Sequence, residues 1–125
     1  MQVETRNWIS KANKDLVTAE FAMHSMDGPL PVTTALHCQQ SAKKYLKAFL
    51  YEQHVPFSSQ SGLVTLLESC ISVDNSFEQL RQLINKLEGY SIASRYPKAN
   101  ESLEFRKEAL ATIEQVKEFV LSRLT

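Results

Sequence analysis

A group of cationic and polar side chains occupies one side of a predicted helix near the middle of the chain. Six of them fall within one arc of about 120° when successive residues are rotated by about 100°: His37, Gln40, Lys43, Lys44, Lys47 and Tyr51. Lysine ammonium groups bind phosphate without requiring a fixed geometry, and a tyrosine ring can stack on a nucleobase. This polar arc predicts an anion-binding or partner-binding surface. The alternative is an ordinary solvated helix face.

A second basic segment lies later in the chain, where Arg95, Tyr96, Pro97 and Lys98 precede the last predicted helix. Pro97 restricts the backbone of this turn. An arginine held near a helix N-terminus can bind a phosphate through two parallel hydrogen bonds. Arg95 is therefore the strongest single candidate for a ligand contact, and Lys98 adds positive charge. In the alternative, Arg95 pairs with a neighbouring carboxylate and Tyr96 packs on the protein.

The sequence lacks the common motifs for metal binding and catalysis. It contains no HExxH, CxxC or GxSxG motif and no glycine-rich phosphate loop. His24, His37 and His54 are too dispersed for a zinc site. We therefore predict no metal and no catalytic residues.

Cys38 and Cys70 fall on apolar helix faces and are expected to be buried free thiols, with a disulfide or a reactive thiol as the alternative.

The elements that position these residues are predicted to be helices, because apolar residues recur at helical spacing and glycine and proline lie between the periodic segments. The predicted helices cover residues 5–24, 32–53, 61–71 and 76–89, and a fifth begins near residue 100. A capping box from Ser76 to Gln79 begins the fourth helix, and Gly89 ends it. The predicted fold is an all-α, antiparallel up-and-down bundle of four long helices and one short helix, in a single domain spanning residues 1–125.

Charge and hydropathy limit the classes of function. Fourteen basic residues balance fourteen acidic residues, so phosphate binding must come from a local cluster rather than from the field of the whole protein. No apolar run reaches the ~18 residues that a spanning helix needs, and the first residues lack the apolar stretch of an export signal. No membrane association and a cytoplasmic location are therefore expected.

Gln39 lies on the apolar side of the second helix, and it is expected to have a specific hydrogen-bond partner because an unpaired buried amide is unfavourable.

Several segments together resemble the HEPN family, the higher eukaryote and prokaryote nucleotide-binding domain. Residues 37–50, HCQQSAKKYLKAFL, are similar to the family's H.QQA.EK.LKA.L helix. Trp8 followed by DLVTA at residues 15–19 resembles the W…DL..A opening, and Tyr90 followed by ASRYP at residues 93–97 resembles the Y…AARYP turn. The resemblance covers nearly the whole chain and implies a helical bundle.

The resemblance also implies a function. It implies a surface that binds a nucleotide such as ATP or GTP, or another phosphate-containing ligand such as RNA, often at the interface of a homodimer. Many relatives are encoded beside a small nucleotidyltransferase and act as its partner. No resident cofactor is implied. We therefore expect a non-catalytic module that binds a nucleotide or partners a nucleotidyltransferase, and that uses Arg95, Tyr96, Lys98 and the polar arc.

The sequence departs from the family at positions that bear on catalysis. Some members are ribonucleases in which a histidine follows an arginine after four to six residues. After Arg95 the eligible positions are occupied by Asn100, Glu101 and Ser102. Lys43 stands where the family usually has glutamate, and QSGL at residues 60–63 replaces a T-H-D-L sequence. These departures argue against toxin-like RNA cleavage. The alternatives are a metal-independent ribonuclease with an atypical site built from Arg95, His37 and Tyr96, and a purely structural interaction protein.

Overall fold

The computed structural model describes the backbone of residues 1–24, 30–93 and 102–124 and the side chains of residues 1–22, 34–89 and 106–124. Within these ranges the chain forms α-helices and one 3₁₀ segment, with no strand. The elements are α1 (Val3–His24), α2 (Leu30–Glu52), α3 (Leu63–Val73), the 3₁₀ segment (Asn75–Leu80), α4 (Arg81–Ala93) and α5 (Ser102–Leu124). The predicted all-α fold is confirmed.

Contacts along α2 define the direction of its neighbours. Ser41 in α2 donates to the Ala12 carbonyl of α1 at 2.9 Å, and Thr5 of α1 donates to Glu52 at the end of α2. These contacts make α1 and α2 antiparallel. Phe49 contacts Phe77, whereas Gln39 contacts Leu87, so α4 is also antiparallel to α2. α1 and α4 thus run opposite to α2, and we call the two ends of the bundle the Glu52 end and the Leu30 end after the two termini of α2.

The predicted inward face of α2 is confirmed. Its apolar members are all buried: Ala35, Cys38, Ala42, Tyr45, Leu46, Phe49 and Leu50. The Gln39 amide donates to the Leu87 carbonyl at 2.5 Å, which supplies the expected partner.

Cys38 and Cys70 are free thiols as predicted, and burial raises the pKa of each to about 12. Such thiols remain protonated at neutral pH, which makes them poor nucleophiles.

Three aromatic rings join the elements of the core at the Glu52 end. The Phe77 ring lies 4.3 Å from Phe49 and 5.1 Å from Phe119, measured between centroids. These contacts bring together α2, the 3₁₀ segment and α5. Phe77 is completely buried, so the short 3₁₀ segment contributes one of the main anchors of the bundle.

The predicted boundaries of the fourth helix are wrong. Asp74, rather than Ser76, caps this region: its carboxylate accepts from the Ser76 amide at 3.0 Å and from the Ser76 hydroxyl at 2.6 Å. The chain then forms the 3₁₀ segment, and α4 begins only at Arg81. It also continues past Gly89 to Ala93. A Cβ at Gly89 would meet nothing within 4 Å, so this glycine occupies an ordinary helical position and imposes no stop.

We expect Asp74→Ala to lower the Tm by roughly 4 °C, because the amide of Ser76 loses its capping acceptor. Asp74→Asn is the matched control, since its side-chain oxygen can still accept but does not titrate. The hydrogen bonds from Ser76 lower the pKa of Asp74 below 3.8. The ionised Asp74 side chain therefore stabilises the folded protein fully above about pH 4. This stabilisation is lost as the pH falls through the pKa of Asp74 in the folded state. Thermal melts from pH 7 to pH 2 should show the wild type losing Tm relative to Asp74→Asn, and parallel curves would contradict this assignment.

Candidate anion-binding site

Lys47 lies in a slot between α1 and the segment that follows α2. Its ammonium nitrogen lies 5.2 Å from the centroid of Trp8 and 5.8 Å from that of Phe57, and it is 3.4 Å from the Ser59 carbonyl oxygen. The Trp8 and Phe57 rings meet edge to face, with centroids 5.8 Å apart. The residue is only 8% exposed. The alternative of an ordinary solvated face does not hold for this lysine, because Trp8 and Phe57 lie against it.

The environment of Lys47 disfavours its positive charge. Burial is the main cause that lowers the pKa of its ammonium group, and the neighbouring charges of Lys43 and Lys44 lower the pKa further. Cation–π contacts and one carbonyl offset only part of this effect. A protonated lysine beside two others is stabilised by any anion that approaches, so the slot favours anions.

Asp15 of α1 neutralises part of the polar arc. One carboxylate oxygen accepts from Lys44 at 2.5 Å, and the other lies 3.0 Å from Nδ1 of His37. Lys44 and His37 thus pair with α1 while their side chains remain partly exposed. Sequence reasoning missed this role of Asp15. A signal was available, since Asp15 lies two turns after Trp8 on the stripe of α1 that borders its apolar face.

Two further lysines complete a local excess of positive charge. The Lys11 ammonium nitrogen lies 4.9 Å from the centroid of the Trp8 ring. Lys43 is partly buried and lies one turn before Lys47 on α2. Within the described ranges, none of Lys11, Lys43 and Lys47 has a carboxylate at ion-pair distance. We refer to Lys11, Lys43 and Lys47 as the lysine cluster. Gln40, also predicted here, is partly buried one turn before it.

A hollow of about 290 Å³ lies at the Glu52 end of α2. Its lining residues are Gln2, Tyr51, His54, Val55 and Pro56. Tyr51 is 37% exposed and lies one turn after Lys47.

The turn that ends α2 places His54 in the left-handed region, with a φ of 59°. The His54 amide donates to the Tyr51 carbonyl and the Val55 amide to the Leu50 carbonyl, which is the Schellman pattern that ends helices. The sequence pattern predicts a helix end near residue 53, but it does not indicate the positive φ at His54.

Arg95, Tyr96 and Lys98 lie outside the described residues. The helix ends that flank them, Ala93 and Ser102, lie at the Leu30 end. From the Gln39–Leu87 contact, α4 continues about 9 Å towards that end, whereas Lys47 lies about 12 Å away in the opposite direction. The lysine cluster and the two flanking helix ends therefore occupy opposite parts of the bundle.

The described residues hold no group of three or more His, Cys, Asp or Glu side chains that could bind a metal ion. Among the helices in those residues, none combines the length and the apolar character needed to cross a membrane.

Comparison with known proteins identifies the family. A family model for the HEPN domain matches residues 5–124, nearly the whole chain. No curated protein matches significantly, and no solved structure does. The match agrees with the helical architecture and with the motifs in α1 and α2. The chain therefore belongs to the HEPN domain family.

Proposed function

We propose that this protein is a non-catalytic HEPN module that binds a nucleotide or a related phosphate-containing ligand at the lysine cluster. One observation carries the proposal: the Lys47 ammonium is held in an aromatic slot beside Lys43 and Lys44, and burial with these neighbouring charges lowers its pKa. A phosphate group would supply the negative charge that the slot lacks. Membership of a nucleotide-binding and ribonuclease-type family supports this class of ligand.

The geometry of the slot suits a multiply charged ligand. Trp8 and Phe57 hold the Lys47 stem in place, so little side-chain entropy is lost when an anion binds. Lys43 and Lys11 are more accessible donors than Lys47, and they can reach different phosphate oxygens. Lys44 contributes less, because Asp15 already offsets its charge. ATP and GTP, with several adjacent negative groups, match this distribution of cations better than a single phosphate does.

The proposal also includes Arg95, Tyr96 and Lys98, on the strength of the resemblance of this turn to the family motif. We expect Arg95→Ala to weaken nucleotide binding at least tenfold, or ~1.4 kcal/mol, with little change in Tm. Because the flanking helix ends lie away from the lysine cluster, Arg95 would reach the same ligand from a second subunit or bind a second phosphate group. Equal affinity of the variant and the wild type would remove Arg95 from the site.

A protein partner is the second element of the proposal, either another copy in a homodimer or a small nucleotidyltransferase. Large apolar side chains on the surface of α1 and α2 support it. Phe21 is 78% exposed, and Val17 and Leu36 are exposed as well. Val17 and Phe21 are four residues apart and therefore neighbours on one face of α1, and adjoining exposed apolar side chains often mark an interaction site. Size measurement of the purified protein, alone and with a neighbour-encoded nucleotidyltransferase, tests this element.

The first experiment is a calorimetric titration with ATP, GTP and inorganic tripolyphosphate, with and without Mg²⁺, at low and moderate salt. Saturable micromolar binding that weakens as salt rises is expected, because salt screens contacts between exposed charges. Absence of any heat up to millimolar ligand would overturn the proposed ligand-binding function. It would leave only the role of an interaction protein.

One observation favours RNA cleavage as a second candidate function. Asp15 holds Nδ1 of His37 at 3.0 Å, which leaves Nε2 as the ring atom available to exchange a proton with a bound hydroxyl. If the protein cleaves RNA, His37→Ala should abolish cleavage, and His24→Ala, which removes the histidine at the end of α1, should retain it as the matched control. Intact RNA after prolonged incubation with concentrated wild-type protein would eliminate this candidate.

A further inference from the structure

We propose that the hollow beside Tyr51 binds the base of the nucleotide whose phosphates contact the lysine cluster. This inference rests on the proposed function and assigns a second part of the ligand to a second part of the surface. It also gives the ligand a direction along α2, with the base near the Glu52 end and the phosphates towards Lys43.

The hollow lies close to the lysine cluster along α2. Tyr51 follows Lys47 by one helical turn, a spacing that makes the two side chains neighbours on the helix. Pro56 lines the hollow, and the next residue, Phe57, forms one wall of the Lys47 slot. From Tyr51 to Lys43 the distance along the helix axis is about 12 Å. A ribose and a chain of phosphates can bridge such a distance.

The size and lining of the hollow suit a flat ring. Its volume of about 290 Å³ is just below the roughly 300–1,000 Å³ typical of small-molecule pockets, so it accommodates a base rather than a whole nucleotide. Tyr51 and His54 provide rings for stacking, and Val55 and Pro56 provide apolar contacts. Every nucleobase has a π-face that can stack on such rings.

Gln2 adds a polar contact with a defined orientation. Its side-chain nitrogen donates to the Tyr51 and Glu52 carbonyls, both at 3.3 Å. These two bonds orient the amide and leave its oxygen as the acceptor. That oxygen accepts no hydrogen bond within the described residues, so an N–H group of a base is a suitable donor to it.

The backbone at His54 gives an independent reason to assign a ligand to this hollow. The C′ position of a Schellman turn requires a positive φ and is usually glycine, which adopts it without steric strain. Here a histidine has a φ of 59°. A side chain kept at a strained position points to a role for that side chain, and the His54 imidazole lines the hollow.

The test compares ATP with inorganic tripolyphosphate, which carries the phosphates without the base. In the wild type we expect ATP to bind roughly tenfold tighter than tripolyphosphate, because a stacked base adds affinity. Tyr51→Ala should reduce this ratio to about one while tripolyphosphate affinity stays the same. Tyr51→Phe, which keeps the ring, should retain the ratio.

A second variant separates ligand binding from folding. His54→Gly should raise the Tm, because glycine adopts the positive φ without strain, and should also lower the ATP-to-tripolyphosphate ratio. A loss of binding in a more stable protein cannot result from misfolding. Equal affinities for ATP and tripolyphosphate in the wild type, or an unchanged ratio in Tyr51→Ala, would overturn the base assignment and leave the phosphate site intact. Failure of both ligands to bind would overturn the proposed function and this inference with it.

Discussion

The double variant Lys43→Ala/Lys47→Met is expected to bind ATP at least a hundredfold more weakly than the wild type, a loss of ~2.8 kcal/mol. A hydrogen bond to a charged group contributes about 1.5–3 kcal/mol, and the variant removes two such donors from the lysine cluster. Methionine is chosen at position 47 because a flexible apolar side chain can fill the slot between Trp8 and Phe57. Replacing a buried charge with an apolar side chain of similar size seldom destabilises a protein. Calorimetric titration gives the affinity, and a thermal melt verifies folding.

Lys86→Ala is the matched control for this experiment. It removes one positive charge from α4, against the two that the double variant removes; Lys86 is exposed, and its ammonium nitrogen lies 4.0 Å from a Glu108 carboxylate oxygen. Its ATP affinity should equal that of the wild type. If Lys86→Ala weakened binding as much as the double variant, the effect would come from net charge rather than from a site. If the double variant bound ATP like the wild type, the lysine cluster would not be the phosphate site.

The largest effect on stability is expected from Phe77→Ala, which should lower the free energy of unfolding by about 3–5 kcal/mol. Phe77 is completely buried and contacts the rings of Phe49 and Phe119. Truncation removes apolar contacts from three elements at once and leaves a cavity. Since domains of this size are stable by about 5–15 kcal/mol, the variant should unfold at much lower denaturant concentration.

Phe21→Ala provides the comparison, since this phenylalanine is 78% exposed. Its free energy of unfolding should stay within about 0.5 kcal/mol of the wild type. Urea unfolding followed by circular dichroism measures both variants. A loss below about 1 kcal/mol for Phe77→Ala would contradict the observed packing of the 3₁₀ segment.

Helical periodicity was sufficient to predict the helices and the buried face of α2, because the repeat of 3.6 residues places apolar side chains on one side. It also identified Gln39 as a residue in need of a partner. Lys47 shows the limit of this reasoning. Periodicity shows which face is polar but not which neighbouring element covers that face, and a lysine stem packs readily on aromatic rings.

The other differences arise where local and distant interactions compete. Ser76 and Gln79 match a capping box, yet Asp74 provides a stronger acceptor two residues earlier. Asp15 pairs with His37 and Lys44, which belong to another helix. Such a pairing depends on how α1 and α2 align, and the sequence pattern of one helix contains no information about that alignment.

The central position of α2 has a consequence for synthesis on the ribosome. This helix packs against each of the other four α-helices, and its second most extensive pairing is with α5. At roughly 5–20 residues per second, α5 emerges several seconds after α2. Until then only the elements that precede α5 can cover α2, and the surface of α2 that α5 contacts lacks its final cover. The nascent chain therefore passes through an interval in which chaperones can recognise it, and that interval ends when the last helix docks.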